Sequence, residues 1–236
     1  MTSSPAWLRT LVFDLDGTLV DTAPDLSAAL NHALAMLGRP AVDPGSVRAM
    51  VGHGARRLLE RGLASSGGGS PALVEQGLEA FLAHYRANIA RHSRPFDGAE
   101  ALLGNLAEQG IGLAICTNKP EALALDLLDA LGWRDRFLAV LGADSRPFRK
   151  PDPRHLLTTI AAAGGQRHQA AYVGDSATDS EAAQAAAVPF VLVTFGYSTE
   201  DPQGLFADHR IDHFADLPAA LHRLAPPVQA EFTQQA

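Results

Sequence analysis

Short apolar runs recur along this chain, and longer stretches with helical periodicity separate them. The runs typical of buried strands cover residues 11–13, 111–116, 137–141, 171–173 and 190–194. The stretches whose apolar residues are spaced three or four apart cover residues 99–109, 121–131, 154–163 and 181–187. Apolar strands that alternate with helices are typical of a parallel sheet covered on both faces. The pattern therefore predicts an α/β fold built on a parallel sheet.

The segment between the first two predicted strands is too long for a single crossover connection. Residues 21–95 show only helical periodicity, so we expect an α-helical cap inserted into the sheet domain. This divides the chain into a core of residues 1–20 and 96–225 and a cap of residues 21–95. Residues 226–236 are expected to form a disordered tail.

Composition narrows the classes of function. The 236 residues are 47% hydrophobic and 19% charged, which is ordinary for a globular protein. A net charge of −7 provides no basic field for nucleic acid or anionic membrane, so neither is an expected partner. Cys116 is the single cysteine, which excludes an intramolecular disulfide and favours a cytoplasmic location. No apolar run approaches the ~20 residues that a membrane-spanning helix needs.

Two carboxylates follow the first predicted strand directly. Asp14 and Asp16 lie two residues apart after the apolar run, and Gly17 and Thr18 come next. Side chains alternate along a strand, so both carboxylates can lie on one side of its end. Two acids held this close repel each other unless a cation neutralises them, and Mg²⁺ prefers oxygen ligands of this kind. A solvated polar turn containing Asp-Gly is the alternative interpretation.

Three further segments place polar side chains after predicted strands or in a rigid loop. They are Thr117-Asn118, Lys150 between Pro147 and Pro151, and Gly174-Asp175 with Asp179. Ligands of open parallel sheets bind at the carboxyl ends of the strands, so these segments can meet Asp14 and Asp16 in one crevice. Lys119 adjoins the first of these segments, and we expect it to be a surface residue at the start of a helix.

The order and spacing of these motifs resemble those of the haloacid dehalogenase superfamily of phosphohydrolases. The matching residues are Asp14-Leu15-Asp16-Gly17-Thr18, Thr117-Asn118, Lys150 and Gly174-Asp175 with Asp179. The resemblance implies a Rossmann-like parallel core with an inserted α-helical cap, and a Mg²⁺-dependent phosphatase that forms an aspartyl-phosphate. Within the superfamily the chain is most similar to the phosphoglycolate phosphatases. The segments that carry this similarity are Val51-Gly52-His53-Gly54-Ala55, Thr117-Asn118-Lys119-Pro120 and Phe195-Gly196-Tyr197.

The resemblance also implies a role for each residue of these motifs. Asp14 is expected to attack phosphorus, and Asp16 to protonate the leaving oxygen and then to activate water. The residues expected to hold the phosphate oxygens are Thr117, Asn118 and Lys150. The expected Mg²⁺ ligands are Asp14, the backbone carbonyl of Asp16, Asp175 and Asp179, the last directly or through water. Taken singly, Asp175 can also be a helix N-cap and Asp179 a solvated acid of the first turn.

The cap contributes candidates for recognising the rest of the substrate. Gly52, His53 and Gly54 form a flexible loop, and Arg56 and Arg57 follow it. An arginine that closes over the core can pair with a substrate carboxylate, which 2-phosphoglycolate has. Gly52, His53 and Arg56 are therefore candidate substrate-binding residues, and a solvated basic helix face is the alternative.

Together these inferences predict a Mg²⁺-dependent phosphomonoester hydrolase of a small phosphorylated metabolite, with 2-phosphoglycolate as the first choice. A sugar phosphate phosphatase and a phosphosugar mutase remain alternatives, because the core residues contact only phosphate and metal. A non-enzymatic phospho-acceptor is an alternative of a different class, although such a module needs neither Asp16 nor a cap. The protein is expected to be a monomer or a homodimer.

Overall fold

The computed structural model describes residues 4–226 and is built around a parallel sheet. The strands in chain order are β1 (Thr10–Phe13), β2 (Val20–Asp21), β3 (Arg94–Pro95), β4 (Gly112–Cys116), β5 (Ala139–Leu141), β6 (Ala170–Gly174), β7 (Phe190–Val193) and β8 (His209–Ile211). Six of them form the sheet in the order β5-β4-β1-β6-β7-β8, and every pairing is parallel. The predicted parallel α/β core is confirmed. Strand β8 was not predicted, because only one of its three residues is aliphatic.

Helices cover both faces of the sheet and also make up the inserted segment. In chain order they are α1 (Ala23–Met36), α2 (Pro44–Val47), α3 (Ala55–Ser65), α4 (Pro71–Ala87), α5 (Ala99–Glu108), α6 (Glu121–Ala130), α7 (Pro153–Ala162), α8 (Ala177–Ala186) and α9 (Leu217–Arg223). Leu11 and Phe13 of β1 pack with α5, α6 and α9 on one face, whereas Val12 packs with α7 and α8 on the other. Because side chains alternate along a strand, one apolar run serves both layers of the core.

The predicted helical insert is also present. Helices α1 to α4 surround an apolar cluster of their own, which includes Leu30, Leu59 and Phe81. The chain leaves and re-enters the sheet domain through β2 and β3, which pair antiparallel. The exact division of the chain into core and cap residues stays a prediction.

A buried carboxylate joins the two connections between cap and core. Asp25, in the first turn of α1, accepts hydrogen bonds from the backbone N–H groups of His92 and Ser93 at 2.9 and 2.8 Å. It also accepts one from the Ser93 hydroxyl at 2.7 Å. The side chain is only 2% exposed, so these bonds compensate the loss of water around its charge. They hold the cap over the carboxyl ends of β1 and β4.

Among residues 4–226, no helix combines the length and the apolar character that crossing a membrane requires. The predicted tail of residues 226–236 lies, beyond Pro226, outside the described residues.

Candidate active site

Three carboxylates converge at the carboxyl ends of the two central strands. Asp14 follows β1, Asp175 follows β6, and Asp179 lies in the first turn of α8. One oxygen from each lies within 4.8 Å of the others, and all three side chains are buried. Asp14, Asp175 and Asp179 are three of the four residues expected to hold a metal ion, and that role stays a prediction.

The electrostatics of the cluster fit a divalent cation. Burial raises the pKa of Asp14 to about 7, and repulsion from Asp179 contributes to this rise. The attraction of Lys150 lowers the pKa but does not outweigh these two effects. Burial and the two neighbouring acids raise the pKa of Asp175 to about 8. Asp14 Oδ1 is buried and makes no aligned hydrogen bond among the described residues, although Lys150 Nζ lies 2.9 Å away. A cation beside these oxygens would relieve the repulsion and satisfy the free acceptor.

The orientation of Asp175 is set by its neighbours. The Thr18 hydroxyl donates to Asp175 Oδ1 at 2.9 Å, and the backbone N–H of Tyr197 donates to Oδ2 at 2.8 Å. Gly17 has a φ of +86°, and a Cβ at this position would lie 2.5 Å from Asp175 Oδ2. Gly17 therefore allows the loop after β1 to approach the Asp175 carboxylate closely.

Asp179 holds neighbouring groups in place through hydrogen bonds. Its Oδ2 accepts hydrogen bonds from Ser176 in a capping box that starts α8, which explains why this helix begins before the predicted residue 181. Its Oδ1 accepts from Lys150 Nζ at 2.6 Å and from the Tyr172 hydroxyl. Burial disfavours the charged carboxylate, but Lys150 and these hydrogen bonds outweigh it and lower the pKa of Asp179. Asp179 stays ionised and anchors Lys150.

Lys150 is buried between two carboxylates. Its side chain is 1% exposed, and Nζ lies 2.9 Å from Asp14 and 2.6 Å from Asp179. Burial lowers the pKa of Lys150, but the attraction of Asp14 and Asp179 is stronger and raises it above its ordinary value. In this arrangement the ammonium group neutralises the nucleophile candidate and does not line the cavity above it.

Replacing Lys150 by Met is expected to lower the free energy of unfolding by about 3–5 kcal/mol, because it leaves two buried carboxylates without their cation. Urea denaturation in the presence of EDTA measures this change. Arg134→Met is the matched control, since Arg134 is exposed and pairs with Asp129 at 3.5 Å on the surface. Equal stability of the Lys150→Met and Arg134→Met proteins would contradict the proposed ion-pair network.

Thr117 and Asn118 follow β4 and lie beside the carboxylates. The Thr117 hydroxyl accepts a hydrogen bond from the backbone N–H of Lys119 at 3.2 Å. The Asn118 side-chain amide donates to the carbonyl oxygens of Gly52 and Lys150 at 3.3 and 3.2 Å. Asn118 thus links the cap loop to the core, and its side-chain amide donates to both of them.

The expectation that Lys119 is a surface residue is wrong. Lys119 is 5% exposed, and its Nζ donates to both oxygens of Asp16, at 2.9 and 3.2 Å, and to the Tyr85 hydroxyl at 2.6 Å. The sequence contains only two lysines, Lys119 and Lys150, and both are buried at this site. The remaining seventeen cationic side chains, excluding histidine, are arginines.

A cavity lies between the cap and the core. Its core wall includes the carboxylates of Asp14 and Asp16, and its cap wall includes Gly52 and Tyr85. The space available to the centre of a water molecule there is about 30 Å³, so the cavity is small.

The remaining cap candidates lie outside this cavity. His53 lines an adjacent polar cavity beside Asp175, where burial and the positive charge of Arg61 lower its pKa. Arg56 forms a bidentate ion pair with Glu75 of α4, and its side chain is 48% exposed. Of Gly52, His53 and Arg56, only Gly52 lines the cavity that contains Asp14.

Sequence reasoning missed several aromatic residues at the site. Tyr172 contacts Lys150 and Asp179, Tyr85 contacts Lys119, and Tyr197 joins Asp175 to the Asp21 carboxylate near the cap connection. Tyr85 has helical spacing within α4, and Tyr172 lies in the apolar run of β6, so both fit a core pattern equally well. Tyr197 had a signal, because it belongs to a segment similar to the phosphoglycolate phosphatases.

The family model for haloacid dehalogenase-like hydrolases matches residues 11–193, a range that contains Asp14, Asp16, Thr117, Asn118, Lys150, Asp175 and Asp179. The chain belongs to this family. Among its haloacid dehalogenase-like relatives, the phosphoglycolate phosphatase of Mesorhizobium japonicum is 46% identical over 212 residues, covering 89% of this chain and 93% of the relative. The phosphoglycolate phosphatase of Caulobacter vibrioides is 47% identical over 216 residues, covering 89% of this chain and 90% of the relative.

A solved structure agrees with the sequence relatives. The crystal structure of a predicted phosphoglycolate phosphatase from Haemophilus somnus superimposes with a TM-score of 0.85 at 31% identity, covering 90% of this chain and 97% of that one. The resemblance to the haloacid dehalogenase superfamily is therefore confirmed, and this member is a phosphatase.

Proposed function

We propose that this haloacid dehalogenase-like phosphatase is a Mg²⁺-dependent hydrolase of 2-phosphoglycolate that works through an aspartyl-phosphate on Asp14. One observation carries the proposal: Asp14 belongs both to the buried carboxylate cluster and to the wall of the cavity that Asp16 shares. A phosphate in this cavity can therefore meet the nucleophile, the proton donor and the metal site together.

The residues that would hold Mg²⁺ are Asp14, the carbonyl of Asp16 and Asp175, with Asp179 in support. When bound, the ion neutralises negative charge on the phosphoryl group and the nucleophile. When all four site carboxylates are ionised, they and the two ammonium groups carry a formal charge of −2, which one divalent cation balances.

In the first step a carboxylate oxygen of Asp14 forms a bond to phosphorus while the bond to the substrate oxygen breaks. Asp16 gives its proton to that leaving oxygen. In the second step Asp16 takes a proton from water, the water oxygen bonds to phosphorus, and the bond to Asp14 breaks. Inorganic phosphate leaves, and Asp14 is again a carboxylate.

The backbone N–H groups of Leu15 and Asn118 have no partner among the described residues and are available to the phosphoryl oxygens.

The choice of substrate has two supports. The relatives at 46–47% identity are phosphoglycolate phosphatases by name. The cavity between cap and core is small, so a two-carbon phosphate needs less additional space there than a hexose phosphate does. A non-enzymatic phospho-acceptor is disfavoured, because the cap helices and Asp16 enclose a cavity that such a module does not need.

The proposal is tested by release of inorganic phosphate from 2-phosphoglycolate, glucose 6-phosphate and β-glucose 1-phosphate at saturating Mg²⁺. We expect the highest kcat/KM with 2-phosphoglycolate. A higher kcat/KM with glucose 6-phosphate supports the sugar phosphatase alternative. Conversion of β-glucose 1-phosphate to glucose 6-phosphate without net phosphate release supports the mutase.

Stability in the absence of metal is expected to fall between pH 6.5 and pH 8.5, by on the order of 2 kcal/mol. The folded pKa values of Asp14, about 7, and Asp175, about 8, lie above the unfolded value, so the folded state binds more protons and loses this advantage as the pH rises. Burial lowers the pKa of His155 to about 4, so this residue binds fewer protons in the folded state than in the unfolded state. It makes stability rise with pH, but only below the unfolded pKa of histidine. Urea denaturation in EDTA at several pH values measures the slope.

Mg²⁺ is expected to add more stability at pH 8.5 than at pH 6.5, because protons compete with the ion for the same carboxylates. Asp175→Asn removes one of these carboxylates and should flatten the pH dependence measured in EDTA. The same slope in wild-type and Asp175→Asn proteins would exclude Asp175 as its source.

A further inference from the structure

Among the described residues, the hydrogen bonds of the Lys119 ammonium group lie in only two directions, because two of its three acceptors are oxygens of one carboxylate. An ammonium group has three N–H donors. In Lys119 one direction is occupied by the Asp16 carboxylate and another by the Tyr85 hydroxyl, which accepts at 2.6 Å. Lys119 lines the cavity between cap and core, so the third donor is available to a ligand there.

Lys119 is also the only cation among the described residues that line this cavity. Lys150 is balanced by two carboxylates and does not line it, and Arg56 pairs with Glu75 at the surface. Leu26, Leu58 and Phe81 form apolar parts of the wall. An ion pair in such surroundings is stronger than one at the surface, because little water screens it.

The chemistry of the leaving group connects Lys119 to the substrate. Asp16 is the proton donor to the leaving oxygen, and Lys119 contacts the carboxylate of Asp16 directly. In 2-phosphoglycolate a single methylene separates the leaving oxygen from the carboxylate. A substrate whose leaving oxygen lies beside Asp16 therefore carries its carboxylate to the neighbourhood of Lys119.

We propose that Lys119 binds the carboxylate of the substrate and so selects phosphate esters with an acid group one methylene from the ester oxygen. This inference rests on the proposed function.

Tyr85 is the residue that positions Lys119. Its hydroxyl belongs to cap helix α4 and holds the Lys119 ammonium, with the ring centroid 4.4 Å from Nζ. Closure of the cap thus completes the carboxylate site.

The test compares 2-phosphoglycolate with 2-hydroxyethyl phosphate, which carries a hydroxymethyl group in place of the carboxylate. Lys119→Met retains an unbranched apolar side chain and removes the charge. We expect it to raise KM for 2-phosphoglycolate by roughly 10- to 100-fold, as for loss of a charge-assisted hydrogen bond. KM for 2-hydroxyethyl phosphate should change by less than roughly threefold, because that substrate has no carboxylate.

Loss of the Lys119 contact with Asp16 should act on both substrates alike. It lowers kcat to a similar extent for each, so the ratio of the two kcat/KM values isolates carboxylate binding. Equal losses on both substrates would overturn the proposal and reduce Lys119 to a positioning residue for Asp16. Arg56→Met tests the rival arginine: a selective loss there, with none in Lys119→Met, would also overturn the proposal.

Tyr85→Phe keeps the inference testable if Lys119→Met does not fold. It removes only the hydroxyl, and we expect a selective rise in KM for 2-phosphoglycolate of roughly threefold to tenfold. If wild-type protein does not hydrolyse 2-phosphoglycolate, the proposed function fails. If it does, and neither Lys119→Met nor Tyr85→Phe changes the preference between the two substrates, only the role of Lys119 fails.

The presence of just two lysines permits a direct measurement. In Mg²⁺-loaded protein with isotope-labelled lysine, NMR should show two Nζ signals, which the Lys119→Arg variant assigns. Glycolate should shift the signal of Lys119 and leave that of Lys150 nearly unchanged, whereas ethylene glycol should move neither. An unshifted Lys119 signal at saturating glycolate would contradict the proposed carboxylate site.

Discussion

Asp14→Asn is expected to lower kcat for 2-phosphoglycolate by about four orders of magnitude or more. The substitution keeps the shape of the side chain but removes the anionic oxygen that attacks phosphorus. Asp14 is 4% exposed and directly follows β1, so the strand fixes the position of its carboxylate. Steady-state release of inorganic phosphate, with a sensitive assay for residual activity, measures the effect.

The Asp14→Asn protein should still fold although its kcat is lost. Asparagine relieves repulsion with Asp175 and Asp179, so thermal stability in EDTA should not decrease. Asp135→Asn, which removes an exposed carboxylate from the surface, serves as the matched control and should keep wild-type turnover. A folded Asp14→Asn protein with substantial activity would be incompatible with covalent catalysis by this residue.

Removal of divalent metal is expected to lower activity by about three orders of magnitude or more, and Mg²⁺ should restore it. The three buried carboxylates of the cluster lie within 4.8 Å of one another, and among residues 4–226 only Lys150 forms an ion pair with Asp14 and Asp179. Without a cation the substrate phosphate would meet uncompensated negative charge. Activity after dialysis against EDTA, followed by titration with Mg²⁺, measures both effects.

Calcium should restore little activity, because its longer and looser coordination would misplace the phosphoryl group relative to Asp14. Asp175→Asn removes a proposed Mg²⁺ ligand without changing Asp14, and it should raise the Mg²⁺ concentration needed for half-maximal activity. Full turnover in rigorously chelated wild-type protein would exclude a catalytic metal.

Much of this architecture could be predicted from local patterns. The apolar runs predicted five of the six strands of the parallel sheet, and the helical periodicity between residues 21 and 95 predicted the cap helices. Asp14 and Asp175 could be assigned to one crevice because both follow apolar strands. In a parallel sheet the carboxyl ends of all strands share one edge, so local sequence was enough to determine this proximity.

The partners of the cationic side chains could not be predicted in this way. Lys119 adjoins a helix start, where an exposed lysine is common, but it meets Asp16 across 103 residues of sequence and Tyr85 across 34. Arg56 has the charge suited to a substrate carboxylate, but it pairs with Glu75 on the neighbouring cap helix.

The sequence by itself determined the fold class, the strand-end carboxylates and the family resemblance, because each depends on residue type and spacing along one segment. Only the tertiary structure decided that Lys119 faces the cavity, that Lys150 lies between Asp14 and Asp179, and that Arg56 lies at the surface. The physical reason is that burial and ion pairing depend on how helices and loops from distant parts of the chain pack together. A long, flexible cationic side chain is equally compatible with water and with a buried carboxylate until that packing is known.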